Sequence, residues 1–84
     1  MPSITRTALT DWLVERVAYY VERDPAEIDP TRQLTIYGMD SVYTLGLAGD
    51  IEEEFGVPVD PTVAWDNPTI EAIADYVLGA TGRD

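Results

Sequence analysis

Few residue types in this chain can do chemistry, and one short stretch gathers them at a useful spacing. Gly38-Met39-Asp40-Ser41 sets a hydroxyl directly after a carboxylate, where an apolar connecting segment gives way to a helical pattern. Gly38 permits a sharp turn, Asp40 can cap the helix, and Ser41 falls in its first turn. A hydroxyl in that place can receive a group from another molecule, but nothing nearby can activate it. The sequence has no His and no Lys, and a lone carboxylate is a poor proton acceptor for serine. Taken alone, the four residues read first as a glycine turn followed by a cap.

Composition excludes most other functions. Five Arg, no Lys and 16 Asp plus Glu give a formal charge of −11 over 84 residues. Such a surface repels both a phosphate backbone and an anionic bilayer, so neither nucleic acid nor membrane is an expected partner. Without Cys or His there is no zinc site and no Ser-His or Cys-His nucleophile pair. The absence of Lys removes P-loop and Schiff-base chemistry. Glu52-Glu53-Glu54 lie along a helix and cannot converge on one ion, and no calcium-loop pattern occurs, so no metal is expected. A Cys-free chain with no signal sequence and no apolar span reads as a cytoplasmic monomer.

The elements that must position Ser41 are helical, and no stretch alternates as a strand would. At 84 residues the expectation is one domain over 1–84, with a core at about 7–79 and flexible ends at 1–6 and 80–84. The first helix spans about Thr7 to Arg23, with Leu9, Leu13, Val17 and Val21 as its buried stripe, Tyr20 inside it and Trp12 on its flank. The last spans about Pro68 to Leu78, capped by Asn67, opened by Pro68 and stopped by a left-handed Gly79. Between them, Ala26-Glu27-Ile28 suits one helical turn, and Pro61 can start a short helix through Trp65. Ile28, Leu34, Ile36 and Tyr37 make the long link too apolar to hang free, so they are expected to pack over helix ends. The fold class is therefore all-α.

The middle helix, about Ser41 to Phe55, follows directly on the reactive turn. Leu47, Ile51 and Phe55 share one face, with Thr44 and Ala48 beside them. Val42 and Leu45 fall on the other side with Gly46, Gly49 and Glu53. Two exposed aliphatics need no special explanation. Yet each glycine costs a helix about 1 kcal/mol relative to Ala, and two on one side favour a flat partner-docking face.

The surroundings of the turn decide how it is read. Gly38-Met39-Asp40-Ser41-Val42, the helix end Ile51 to Val57, Asp66-Asn67-Pro68-Thr69 with Ile70 to Ala74, and the approach Leu34 to Gly38 closely resemble the acyl carrier protein family, over roughly Leu9 to Gly79. The resemblance implies a small four-helix bundle, with three main helices and a short third one. It implies that Ser41 receives 4′-phosphopantetheine from coenzyme A, with Gly38 in the turn and Asp40 helping the phosphopantetheinyl transferase place magnesium. Acyl cargo would then ride as a thioester on the arm, and the chain would be a non-catalytic carrier.

The resemblance also implies a partner face. Its expected residues are Met39, Val42, Leu45, Gly46, Gly49, Asp50, Glu53, Val63 and Trp65, read by an acyltransferase or acyl-ligase and by a ketosynthase or other polyketide synthase domains. Asp50 and Glu53 either pair with basic partner groups or form a plain solvated face. Trp65 packs in the core or shields the arm. Gly46 departs from the Glu of many relatives, and Gly49 from a larger apolar residue. Asp40 and the stretch Val63 to Thr69 look most like bacterial polyketide carriers, while a peptidyl carrier is the near alternative. The start at Met1 and the finish near Asp84 suggest a discrete carrier, although a domain cut from a synthase would look similar.

Overall fold

The computed structural model describes residues 5–81. Four helices form the bundle: α1 (Arg6–Val21), α2 (Ser41–Phe55), the short α3 (Val63–Asp66) and α4 (Ile70–Thr81). Two 3-10 turns, Pro25–Glu27 and Leu34–Tyr37, lie in the long link between α1 and α2. No strand occurs among the described residues, so the all-α bundle expected from the sequence is the fold.

Each main helix contributes its apolar stripe to one core. Leu9, Leu13 and Val17 of α1, Leu47 and Ile51 of α2, and Ile70, Ile73 and Val77 of α4 are fully buried there. Full burial of such side chains is worth about 1.5–3 kcal/mol each, which is where a domain this small finds its stability. The principal helix contact is α1 against α4. At the outer edge of that pair Arg6 is ion-paired with Asp75.

The helix ends explain where the chain turns. Thr5 caps α1 by accepting from the Ala8 amide, and Glu22 closes it in the left-handed region at φ 58°. Asp24 caps the first 3-10 turn through the Ala26 amide. At the end of α2, Gly56 takes φ 67° and returns its N–H to the Glu52 carbonyl. The Glu52 carboxylate accepts from the Val59 amide at 2.8 Å, holding the following loop against α2.

Three expectations are corrected here. First, α4 begins at Ile70, and Thr69 is its cap, its hydroxyl accepting from the Ala72 amide at 3.0 Å. Asn67 instead closes α3, its side-chain amide donating to the Val63 carbonyl at 3.0 Å. Second, Gly79 lies inside α4, and the glycines with positive φ among the described residues are Gly38 and Gly56. Third, Ile36 is exposed, whereas Ile28 and Leu34 are buried as expected. The helices run from Arg6, which opens α1, to Thr81, which ends α4. The remaining ends expected to be flexible, 1–4 and 82–84, lie outside the described residues.

The link that delivers the chain to Ser41 is tied to α4. The Leu34 amide donates to the Pro68 carbonyl at 2.8 Å, the Glu71 amide donates to the Pro30 carbonyl at 3.1 Å, and Gln33 pairs with Thr69 as a single antiparallel bridge. The first turn of α4 is thus satisfied partly by the link. In return, the approach to Ser41 is held to α4.

Candidate functional site

The turn before α2 is built from residues with separate tasks. Gly38 ends the second 3-10 turn at φ 88°, a left-handed conformation that favours glycine. Met39 follows and is only 5% exposed, so its side chain anchors the turn in the core. Asp40 returns to extended backbone, and its carboxylate accepts from the Tyr43 amide at 3.0 Å. Its carbonyl accepts from the Thr44 amide at 3.0 Å, the first helical bond of α2. Ser41 is the first helical residue and is exposed.

The electrostatics of this position favour an anion. The Ser41 and Val42 amides precede the first helical bond and point out of the helix end, where the macrodipole is positive. A phosphate ester on the Ser41 oxygen would sit at that end. Elsewhere the surroundings are anionic. The sequence has no Arg or Lys between Gln33 and Gly82, and Arg6, Arg16, Arg23 and Arg32 are each ion-paired within the chain. Among the described residues, no basic side chain is set aside for Ser41.

The expected partner residues divide in two. Val42 and Leu45 are 70% and 56% exposed, and Gly49 and Glu53 are exposed on the same side of α2. Trp65 is also exposed, at 56%, so it does not pack in the core. Met39 and Val63 are corrected: both are buried and offer no surface to a partner. Gly46 is corrected as well. It does not flatten an open face, because it lies under the Tyr20 side chain, and a Cβ there would stand 2.8 Å from the phenolic oxygen.

Asp50 is likewise taken up within the chain. Its Oδ2 accepts from the Arg16 guanidinium at 3.0 Å and from the Tyr20 hydroxyl at 2.5 Å. Burial and the Asp50 hydrogen bond raise the Tyr20 phenol above its usual value. Burial works against the charged form of Arg16, but its bonds to Tyr20 and Asp50 outweigh this and its pKa is raised. The Tyr20 ring also lies 5.8 Å from that of Tyr43, and Trp12 meets Phe55 edge-on at 4.9 Å. Residues 12, 16 and 20 of α1 therefore meet 55, 50 and 46 of α2 in antiparallel order. Sequence reasoning misses this seam. The signal is there in the four-residue spacing of Trp12, Arg16 and Tyr20, but nothing in one sequence names the opposing helix.

The chain is similar to known proteins in both sequence and fold. A family model described as a phosphopantetheine attachment site matches residues 11–77. The chain is 34% identical over 77 residues to a 6-methylsalicylic acid synthase of Aspergillus terreus, covering 86% of this chain and 4% of that protein. It is 33% identical over 69 residues to a phenolphthiocerol/phthiocerol polyketide synthase of Mycobacterium tuberculosis, covering 82% and 4%. It thus spans about 4% of the length of these relatives.

Among solved structures, a free-standing peptidyl carrier protein from Acinetobacter baumannii superposes with a TM-score of 0.88 at 32% identity, covering 92% of this chain and 96% of that one. The acyl carrier protein LipD from Actinoplanes friuliensis gives 0.72 at 38% identity, covering 94% and 92%. With most of its length matched by the family model and its bundle shared with both carriers, this chain belongs to the phosphopantetheine attachment site family and is a carrier protein.

Proposed function

We propose that Ser41 is the residue to which 4′-phosphopantetheine is attached, and that the chain carries acyl units between enzymes of a polyketide pathway as a discrete protein. The observation that carries the attachment is the exposed Ser41 hydroxyl at the positive end of α2, on a turn fixed by a left-handed Gly38 and a buried Met39. When bound, the group supplies a thiol on a flexible arm, where cargo is held as a thioester; the chain itself has no Cys. Asp40 keeps the first turn of α2 in place through the Tyr43 amide and leaves Ser41 free to approach a transferase. The serine proton must leave to a base of that transferase, because this chain has no His or Lys to take it. Ser41 is thus a substrate, and the chain does not catalyse its own modification.

Partner enzymes would read Val42, Leu45, Gly49 and Glu53 along α2 from Ser41, together with the exposed Trp65. Exposed apolar residues with the Glu53 carboxylate on the same face suit an enzyme surface that pairs apolar groups with basic ones. The polyketide assignment is supported by the synthases among the relatives. Intact-protein mass spectrometry after incubation with coenzyme A and a broad-specificity phosphopantetheinyl transferase tests the attachment; one arm should be gained by wild type and none by Ser41→Ala.

A peptidyl carrier role is a second reading, favoured by the free-standing peptidyl carrier that superposes over nearly its whole length. Loading with acyl versus aminoacyl donors separates the two. Transfer of acyl units alone supports the polyketide role, and aminoacyl loading supports the other.

A further inference from the structure

We infer that Tyr20 is a positioning residue for the Ser41 turn, acting through α2 with Gly46 as its seat. The inference rests on reading Ser41 as the attachment residue. Tyr20 touches α2 at three levels. Its ring lies beside Tyr43, its hydroxyl passes over Gly46, and the same hydroxyl bonds to Asp50, which Arg16 holds from one turn earlier on α1. At 100° per residue, positions 43, 46 and 50 fall within about 60° of one another, and Ser41 projects from roughly the opposite flank. Any roll of α2 about its axis therefore swings Ser41 through the same angle.

Tyr20 resists such a roll in both directions. Turning one way carries the side chains that flank Gly46 under the phenol, which stands closer to that position than even a Cβ would allow. Turning the other way breaks the 2.5 Å bond to Asp50. On the same side α1 also meets α2 through Trp12 against Phe55, while Leu47 and Ile51 hold the core face of α2; two glycines make α2 an intrinsically poor helix former. Tyr43 connects the brace to the site, because its amide is the one held by Asp40, the residue next to Ser41.

The experiment uses three full-length variants, Tyr20→Phe, Gly46→Ala and the neighbouring control Tyr19→Phe. Two quantities are read: amide hydrogen exchange of the unmodified protein by NMR, and KM and kcat for modification by a broad-specificity transferase with coenzyme A. In Tyr20→Phe and Gly46→Ala the Tyr43 and Thr44 amides should exchange at least about fivefold faster relative to Ile73 in α4. In the same variants KM should rise about threefold or more, with kcat within about twofold. Tyr19→Phe should change neither. Exchange at Tyr43 and Thr44 that only keeps pace with Ile73, or an unchanged KM in both variants, overturns the inference. A wild-type protein that is not modified at all overturns the attachment reading instead, an outcome the exchange rates do not share.

Discussion

The hydroxyl of Tyr20 lies over Gly46 so closely that a Cβ on that residue would stand 2.8 Å from the phenolic oxygen. Around Gly49, three residues further along the same helix, a Cβ would meet nothing within 4 Å. Two glycines that look alike in the sequence thus have different reasons to be there.

Replacing each with Ala should give different results. Gly49→Ala gains the helix preference of Ala, about 1 kcal/mol, and should raise the melting temperature by about 4–8 °C. At Gly46 the same gain is offset by overpacking of about 1–3 kcal/mol, because the phenol can move aside only by giving up Asp50. Gly46→Ala should therefore leave the melting temperature unchanged or lower it. Equal rises in both would show that Tyr20 yields without cost.

The position of Gly79 inside α4 leads to a second substitution. A glycine in a left-handed stop resists Ala, whereas an exposed one in a helix accepts it. Gly79→Ala should stabilise the fold by up to about 1 kcal/mol in thermal or denaturant unfolding. Gly38→Ala, at φ 88°, should destabilise it by about 1–2 kcal/mol.

The cap of α4 offers a third. Thr69→Ala removes the acceptor for the Ala72 amide and should cost about 1 kcal/mol, within a range of about 0.5–2. Asn67 bonds to α3 instead, so Asn67→Ala should leave the first-turn amides of α4 as slow to exchange as in wild type, while Thr69→Ala should speed them.

Acid should act through two matching turns. In Asp29-Pro30-Thr31 the side-chain and then the backbone bonds from Thr31 hold the Asp29 carboxyl below its usual value. In Asp60-Pro61-Thr62 the backbone and then the side-chain bonds from Thr62 do the same for Asp60. A carboxyl lowered in the folded state contributes stability above its unfolded value, here 3.8, and loses it as pH falls through the folded one. Carbon-detected NMR titration should find both midpoints below 3.8, and Thr62→Val should move that of Asp60 upward. A midpoint at the ordinary value in wild type would contradict the turn geometry.

The main helices are legible in the sequence because each carries its own apolar stripe, and the Gly-Met-Asp-Ser turn because its residues act on neighbours along the chain. Met39, Val63 and Trp65 are not, for another reason. A residue next to a reactive turn can face inward, as Met39 does, and a large aromatic on a four-residue helix can face outward, as Trp65 does. Periodicity does not settle elements that short. Thr69 displaces Asn67 as cap because the link residues Pro30 and Leu34 bond to the α4 start, a contact between segments far apart in the chain. Asp50 reads as a partner contact because its place on α2 is correct for one; only the approach of α1 shows that Arg16 and Tyr20 occupy it.

The central claim is that Ser41 is where the arm is attached. Intact-protein mass spectrometry with coenzyme A and a phosphopantetheinyl transferase, run on wild type and Ser41→Ala side by side, tests it most directly. The predicted result is a gain of one phosphopantetheine in wild type and no gain in Ser41→Ala. A modified Ser41→Ala protein, or a wild type that gains nothing, would contradict it.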